Sequence, residues 1–349
     1  MIELRNDALV FRFPEVHPDA VLELDFQRTL RIPDDGATYP LPPGLGRFPL
    51  RHVDDHADQA PAVWLEHGGV MLPMYQSEAL WLSFDSAMIG DRAPYCFIVK
   101  VATGKINAVT GEEWTEGVHR DPQDYMVVPE QPWLDGYCVE KGSIRQFVAM
   151  PLGSGYTAEE QTTGKGEHGG LQIAVYPMKR AAFERRFPRR PVASESRAFL
   201  LGEWVSEVCC AREEPAAPMG LAPGGRMRQE IYEDPFTLGD WDLRHGSRCF
   251  VHLANSLVWR QITGREAPTV PPTAAEYARH GLPWFDYYSE APAVDGGGRL
   301  GKTLKSVQEI ARETGDEPLP ENQSVDPEHV VPLAAPGSGK RGGGRVREW

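Results

Sequence analysis

Two histidines near the start of the chain have a spacing that suits a metal ion. His52 and His56 flank Asp54 and Asp55, and their i, i+4 spacing would place both imidazoles on one face of a helix. A short helix is predicted over residues 53–66, with Pro61 near a boundary or a break. Imidazole and carboxylate groups bind zinc and other divalent ions. A solvated surface helix is the alternative interpretation, because the segment is polar. The sequence therefore names His52 and His56 as candidate metal ligands, with a divalent metal as the candidate cofactor.

Two further histidines are candidates for contact with a ligand. His168 precedes Gly169 and Gly170, and a histidine beside glycines has little backbone crowding around it. His252 lies in an otherwise apolar stretch, where a polar ring needs a hydrogen-bond partner. The alternatives are an exposed loop histidine at position 168 and a buried, hydrogen-bonded histidine at position 252.

Arg145 and Gln146 are adjacent in a predicted strand, so their side chains point to opposite faces of a sheet. A guanidinium that faces an interior needs a carboxylate or several carbonyl groups. Glu130, Asp135 and Glu140 are close in sequence and carry suitable carboxylates. The pattern predicts a buried ion pair or, alternatively, a site for a ligand anion. Arg145 and Gln146 are both candidate ligand-binding residues.

Arg226 follows Gly224 and Gly225 in a segment that reads as a flexible turn. The backbone amides of such a turn can bind phosphate, and Arg226 would add a positive charge. The sequence contains no GxSxG nucleophile motif. Arg226 is therefore a candidate ligand-binding residue, while catalytic residues and enzymatic activity stay unassigned.

The elements that must position these residues are mainly strands. Residues 96–101 and 106–109 are apolar runs on either side of Gly104-Lys105, which is typical of a hairpin. Similar short runs recur throughout residues 1–180, without the helices that parallel βαβ units require. We predict a β-rich α+β fold, with an antiparallel sandwich or barrel core, a few helices and a disordered C-terminal tail.

Composition divides the chain into three parts. Residues 1–180 are predicted to form a β-rich core domain, and a strongly basic connection follows over 179–190. Residues 190–290 are a mixed α/β segment that we expect to pack on this core. Residues 291–349 contain a linker, a short amphipathic helix near 300–311 and a flexible tail.

One short sequence in the chain occurs twice. Pro132-Trp133-Leu134-Asp135 recurs as Pro283-Trp284-Phe285-Asp286, and the flanking sequences do not match. Two turns that each bury a tryptophan explain the pattern, and an internal duplication is the alternative.

Composition and charge exclude several classes of function. The 349 residues include 36 lysines and arginines against 50 acidic residues, a net charge of −14. This charge disfavours binding to nucleic acid and to anionic membranes. No run approaches about 18 apolar residues, so we expect no membrane span. The absence of a signal-like N-terminus and the five cysteines, two of them adjacent, favour a cytoplasmic location.

Three functions remain as hypotheses. The first is a cytoplasmic β-scaffold that acts as a binding or structural protein, with a protein partner or a second copy of itself rather than nucleic acid. The second is a metal-dependent enzyme with a histidine and carboxylate site in a β-barrel pocket. The third is a carbohydrate-binding β-sandwich that uses some of the nine tryptophans. The small-molecule ligand is unknown. A basic cluster could dock an acidic partner or the acidic surface of another copy, and a solvated helix face is the alternative. The cluster is formed by Lys179, Arg180, Arg185, Arg186, Arg189 and Arg190.

Overall fold

Strands dominate the computed structural model of this chain, which describes residues 1–188, 218–289, 291–296, 299–316 and 322–334. In chain order the strands are β1 (Ile2–Arg5), β2 (Ala8–Arg12), β3 (Val21–Thr29), β4 (Thr38–Tyr39), β5 (Gly44–Arg47), β6 (Arg51–His52), β7 (Val70–Pro73), β8 (Ala79–Ser86), β9 (Phe97–Thr103), β10 (Ile106–Asn107), β11 (Met126–Val128), β12 (Trp133–Leu134), β13 (Gly136–Glu140), β14 (Ser143–Pro151), β15 (Leu171–Pro177), β16 (Met219–Arg228), β17 (Ser247–Ala254), β18 (Trp284–Tyr288) and β19 (Val330–Ala334).

The helices are short and lie between the strands. They are α1 (Ala62–His67), α2 (Ala158–Thr163), α3 (Arg180–Arg186), α4 (Ser256–Thr263), α5 (Ala274–Arg279), α6 (Leu300–Thr303) and α7 (Val307–Thr314). Two 3-10 turns cover Asp54–His56 and Leu238–Asp240. None of the helices in the described part of the chain is long and apolar enough to span a membrane.

The strands form two large sheets and one small one. The first sheet follows the order β1-β2-β3-β8-β14-β16-β4, with β5, β12 and β13 attached at its sides. The second follows β10-β9-β15-β17-β7-β6, with β11 on β9, and the small sheet pairs β18 with β19. Most pairings are antiparallel, whereas β4–β16, β7–β17 and β18–β19 are parallel. The described strands form a sandwich-like arrangement and no closed barrel. The many strands and few helices confirm the predicted β-rich α+β fold class.

The core lies between the two large sheets. Leu24 and Leu82 of the first sheet belong to the same buried cluster as Val99 and Ile173 of the second. The outer faces are covered by helices. Trp64 of α1 packs with residues of α4 on the second sheet, and α7 packs on the first. Buried apolar residues therefore form a central core and three smaller clusters in the described chain, as expected for strands buried on both faces.

The segment after residue 190 contributes directly to the core. Strand β16 pairs with β14 in the first sheet, and β17 lies between β15 and β7 in the second. The amphipathic stripe predicted near 300–311 forms α6 and α7, whose Leu300, Val307 and Ile310 are buried. Within the predicted tail, β19 pairs with β18, while residues 335–349 lie outside the described residues.

The helix predicted over 53–66 is wrong in its first half. His52 ends strand β6, directly opposite Val70 of β7, and His56 ends a 3-10 turn. Helix α1 begins only after Pro61, which has no amide hydrogen to donate. His52 and His56 therefore do not share a helix face, and their spacing of four residues does not define a metal site.

Candidate functional site

The tetrapeptide Glu-His-Gly-Gly occurs twice in the chain, at residues 66–69 and 167–170. The first copy leads into β7 and the second into β15, and these strands pair with β17 from its two sides. The sheet thereby brings together two histidines that are far apart in sequence. The rings of His67 and His168 meet edge to face, with 6.4 Å between their centroids.

Glycines allow both segments to approach β17 closely. Gly69 and Gly170 have φ angles of +89° and +53°, a region that side chains disfavour. A Cβ atom on Gly69 would lie 2.2 Å from the carbonyl oxygen of Phe250, and one on Gly170 would lie 2.4 Å from that of Val251. No other residue fits either position without moving the backbone of β17.

A buried carboxylate holds the second segment in place. Glu159 of α2 accepts backbone hydrogen bonds from Glu167 and His168 on Oε1, at 2.9 and 2.8 Å, and from Gly169 on Oε2, at 2.8 Å. Three amides on one carboxylate fix the course of the loop. Glu159 is therefore a positioning residue for the ring of His168.

Strand β17 supplies aromatic side chains between the two copies. Phe250 and His252 are two residues apart and share the outer face of the sheet. The ring of His67 lies 4.6 Å from that of Phe250, and Trp64 stacks on His252 with centroids 4.9 Å apart. The three histidines, Phe250 and Trp64 form one layer of planar rings on the outside of the second sheet.

The surroundings keep two of these imidazoles neutral at pH 7. Burial lowers the pKa of His252 to about 4, and His252 Nε2 donates to the carbonyl of Gly68 at 3.0 Å. Burial, together with the charge of Lys105, lowers the pKa of His168.

The tautomer of neutral His67 follows from its helix. Its Nδ1 lies 2.8 Å from the carbonyl oxygen of Val63, which can only accept a hydrogen bond. We therefore assign the proton to Nδ1, which leaves Nε2 as a free acceptor when the ring is neutral.

A cleft of 940 Å³ opens beside this layer, and we call it the histidine cleft. Its walls include His67, Phe250, Gln172, Lys105 and Arg248, and the hairpin β1–β2 lies across it with Ile2 and Leu4. The walls combine aromatic rings, one amide, basic groups and apolar carbon. Such a mixture is typical of small-molecule sites.

The polar side chains of the cleft differ in how far the protein already uses them. Gln172 accepts from the Lys105 amide at 2.7 Å and donates to the Gly169 carbonyl at 3.3 Å. Arg248 pairs with Glu116. The ammonium of Lys105 has no ion pair within the described residues, so its charge remains available in the cleft.

The described residues contain no group of three or more His, Cys, Asp or Glu side chains arranged to hold a metal ion. His52 lines the histidine cleft, and His56 does not. Cys249 also lines it, but burial raises the pKa of its thiol to about 12. The thiolate, which is the nucleophile, is therefore scarce at neutral pH.

Arg145 and Gln146 are both buried, and both bind the protein itself. Arg145 is in an ion pair with Glu309 at 3.1 Å and with Asp34 at 3.7 Å. The predicted buried ion pair exists, with partners other than the three carboxylates close in sequence. Gln146 binds backbone groups at Leu30 and Ile32.

Arg226 lies inside strand β16, so the turn predicted at residues 224–226 is wrong. Its guanidinium pairs with Glu140 at 2.8 Å on the surface. The amides of Gly224 and Gly225 belong to a strand, and they form no cradle for a phosphate.

Part of the basic cluster also has partners within the chain. Arg185 and Arg186 both bind Asp240, at 2.8 and 2.7 Å, and Arg180 pairs with Glu184. Arg189 and Arg190 lie outside the described residues. Self-association through this cluster stays a prediction.

Sequence reasoning selects His168 and His252 but misses His67, Phe250 and Lys105. The repeated Glu-His-Gly-Gly is the signal that points to His67 beside His168. No local pattern marks Phe250 or Lys105, because their role depends on which strands become neighbours.

Comparisons with known proteins add nothing to this geometry, since no family model, no curated protein and no solved structure matches the chain.

Proposed function

We propose that this protein is a β-scaffold binding protein whose histidine cleft holds a small molecule with a planar ring and an acidic group. The observation that carries the proposal is the meeting of the two Glu-His-Gly-Gly segments across β17 beside this cleft. Both segments require glycine for close packing against β17, and the first of them lines the cleft with His67 and Gly69.

The size and shape of the cleft support a ligand of this kind. A volume of 940 Å³ lies at the upper end of the range for small-molecule sites, roughly 300–1,000 Å³. Phe250 and the imidazole ring of His67 offer planar surfaces in the cleft, which favour stacking with another ring.

The charges in the cleft favour an anion. Lys105 lines the cleft and has no carboxylate partner in the described chain. In a protein with a net charge of −14, a cation that is left unpaired beside a cavity attracts an acidic group. The acidic group of the ligand pairs with Lys105 while its ring lies against Phe250.

The test combines retained and added ligands. Native mass spectrometry of the purified protein detects a bound small molecule, and elemental analysis of the same sample detects metal. Titration calorimetry then measures binding of benzoate, indole-3-acetate and adenosine monophosphate. We expect at least one of them to bind, and Phe250→Ala to weaken that binding about tenfold or more, by loss of ring stacking.

Lys105 lies in the turn between β9 and β10, and Lys105→Gln should also weaken binding of the anion. The matched control is a lysine in another turn. Lys141 lies in the turn between β13 and β14, away from the cleft, and Lys141→Gln should leave binding unchanged. If no ligand is retained and no anion of the panel binds, the proposal fails. A stoichiometric metal in the elemental analysis would favour the metal-dependent enzyme instead.

A further inference from the structure

Arg248 is a second basic residue in the wall of the histidine cleft. In the pairing of β15 with β17, Phe250 lies opposite Gln172 and Arg248 lies opposite Ala174. Arg248 and Phe250 are two residues apart on one strand, so they share the outer face of the sheet about 7 Å from each other. The side chain of Arg248 is 56% exposed, and a molecule in the cleft can reach it.

Lys105 lies at the other end of the same wall. Its neighbour Gly104 donates its backbone amide to the carbonyl of Gly170 at 3.1 Å, just before β15 begins. Phe250 pairs with the second residue of β15 and Arg248 with the fourth. The levels of Gly170 and Arg248 are therefore four strand positions apart, roughly 13 Å, with Phe250 midway between them. The cleft thus has a cation at each end and the ring of Phe250 between them.

A carboxylate of the protein itself already binds Arg248. Glu116 pairs with the guanidinium, and the side chain of Glu116 is 76% exposed. Buried Lys100 fixes the loop that carries this glutamate. Its ammonium binds the carbonyls of Thr115 and Gly117, each at 2.9 Å, on either side of Glu116. The fold therefore presents an acidic group to Arg248 at the edge of the cleft.

The ion pair of Glu116 with Arg248 is easily exchanged. Both side chains are more than half exposed, and surface ion pairs contribute little net free energy. When Glu116 leaves, its carboxylate returns to water and no buried charge is left behind. A guanidinium binds a carboxylate or a phosphate through two parallel hydrogen bonds, so an acidic group of a ligand can take the place of Glu116.

We propose that the ligand of the histidine cleft carries an acidic group at each end of its planar ring, one bound by Lys105 and the other by Arg248, where it replaces Glu116. This inference rests on the proposed function, because it concerns the same ring against Phe250. Two cations on opposite sides of that ring select both the length and the direction of the ligand. Glu116 is an internal competitor, which a ligand with a single acidic group leaves in place.

The experiment compares three ligands that contain the same ring. Terephthalate has its two carboxylates at opposite ends of a benzene ring, phthalate has them on adjacent carbons, and benzoate has only one. Titration calorimetry at pH 7 and low ionic strength measures the three affinities of the wild type. We expect terephthalate to bind about tenfold more tightly than either of the others, because it alone reaches both cations.

Two variants assign the gain to the ion pair. Arg248→Gln should weaken binding of terephthalate about tenfold, to the level of benzoate. Glu116→Gln should strengthen binding of terephthalate about threefold, and that of benzoate less, because the guanidinium no longer has a carboxylate to release.

The chain offers a matched control for both variants. Arg260 and Glu266 form an ion pair with nearly the same exposure, 53% and 78%, and neither residue lines the cleft. Arg260→Gln and Glu266→Gln should leave all three affinities unchanged. Matching melting curves for the four variants establish that each one folds.

Three results would overturn the inference. If benzoate binds as tightly as terephthalate, the second acidic group has no partner, and the proposed function still stands. If phthalate equals terephthalate, net charge explains the gain and the two-ended arrangement is wrong. If none of the three ligands binds, this inference fails, while the search for a retained ligand decides the proposed function separately.

Discussion

The Arg145–Gln146 region and the histidine cleft both contain polar residues that the sequence nominates for ligand binding, yet the protein uses them differently. Around Arg145, the polar side chains bind other groups of the protein itself. The guanidinium meets two carboxylates and the Gly224 carbonyl, and the amide of Gln146 meets backbone groups at Leu30 and Ile32. A side chain whose partners are all within the chain stabilises the fold and has little left for a ligand.

In the histidine cleft, some polar side chains keep donors, acceptors or charges that have no partner in the described chain. Lys105 has a charge without a carboxylate partner in the described chain, and His67 uses only its Nδ1 for the protein. Gln172, by contrast, binds the backbone amide of Lys105 and the carbonyl of Gly169, so its side chain holds the turn that carries the free ammonium. The comparison teaches that unused donors and acceptors at a cavity, rather than polarity or burial, distinguish a binding residue. It predicts that substitutions in the first region change stability and substitutions in the second change binding.

The largest effect is expected for Arg145→Met. Removing the guanidinium leaves the carboxylate of Asp34 buried beside β14, and breaking a buried ion pair in this way costs about 3–5 kcal/mol. The free energy of unfolding from urea titration measures it. Arg226→Met is the control, because its pair with Glu140 is partly exposed and worth at most about 1 kcal/mol. If both variants lose the same free energy of unfolding, the buried ion pair of Arg145 matters no more to stability than the surface pair of Arg226.

Gln146→Leu tests the same region without a charge. Leucine keeps most of the volume but deprives the amide of Ile32 and the carbonyl of Leu30 of their partners. Each unsatisfied buried group costs about 1–3 kcal/mol, so the variant should lose roughly 2–4 kcal/mol by urea denaturation. A loss below about 1 kcal/mol would mean that the strands relax enough for water to replace the amide.

The histidine layer should make stability depend on pH. The pKa of His252 is about 4 in the folded protein and near 6.5 when unfolded, so the unfolded state binds more protons between these values. Stability is therefore complete above pH 6.5 and is lost as the pH falls toward 4, by about 2 kcal/mol between pH 7 and pH 5. Urea midpoints across this range measure it. His252→Gln, which can still donate to the Gly68 carbonyl, should lose less over the same range. Identical pH profiles for the two proteins would show that His252 protonates freely.

Much of the fold follows from local patterns, because alternation and turn residues act over a few positions. Apolar runs around Gly104-Lys105 predict the β9–β10 hairpin, and the structure has it. Local reasoning fails at His52 and His56, where pairing with β7 outweighs helical spacing. Thus the type of most elements in the core could be predicted, and their boundaries only where a turn or proline marks them.

The site is harder to predict, since it depends on which strands become neighbours. Arg145 pairs with Asp34 and Glu309, both far away in sequence, instead of with the nearby acids. His67, His168 and His252 meet only because β17 lies between β7 and β15. Periodicity determines which face of a strand a residue occupies, but it carries no information about the partner strand.

Lys105→Gln should have the smallest effect on stability and therefore sharpens the comparison most. Lys105 takes part in the fold through its backbone, since its amide donates to Gln172 and its carbonyl accepts from the Trp114 amide, and glutamine preserves both contacts. We expect the free energy of unfolding to change by less than about 0.5 kcal/mol, as for other surface substitutions. Affinity for an anion that binds the cleft should nevertheless fall about tenfold, because the charge-assisted hydrogen bond is gone. Calorimetry with Lys105→Gln and the turn control Lys141→Gln separates the two quantities. A loss of stability without a loss of affinity would assign Lys105 to the same inward-directed class as Arg145.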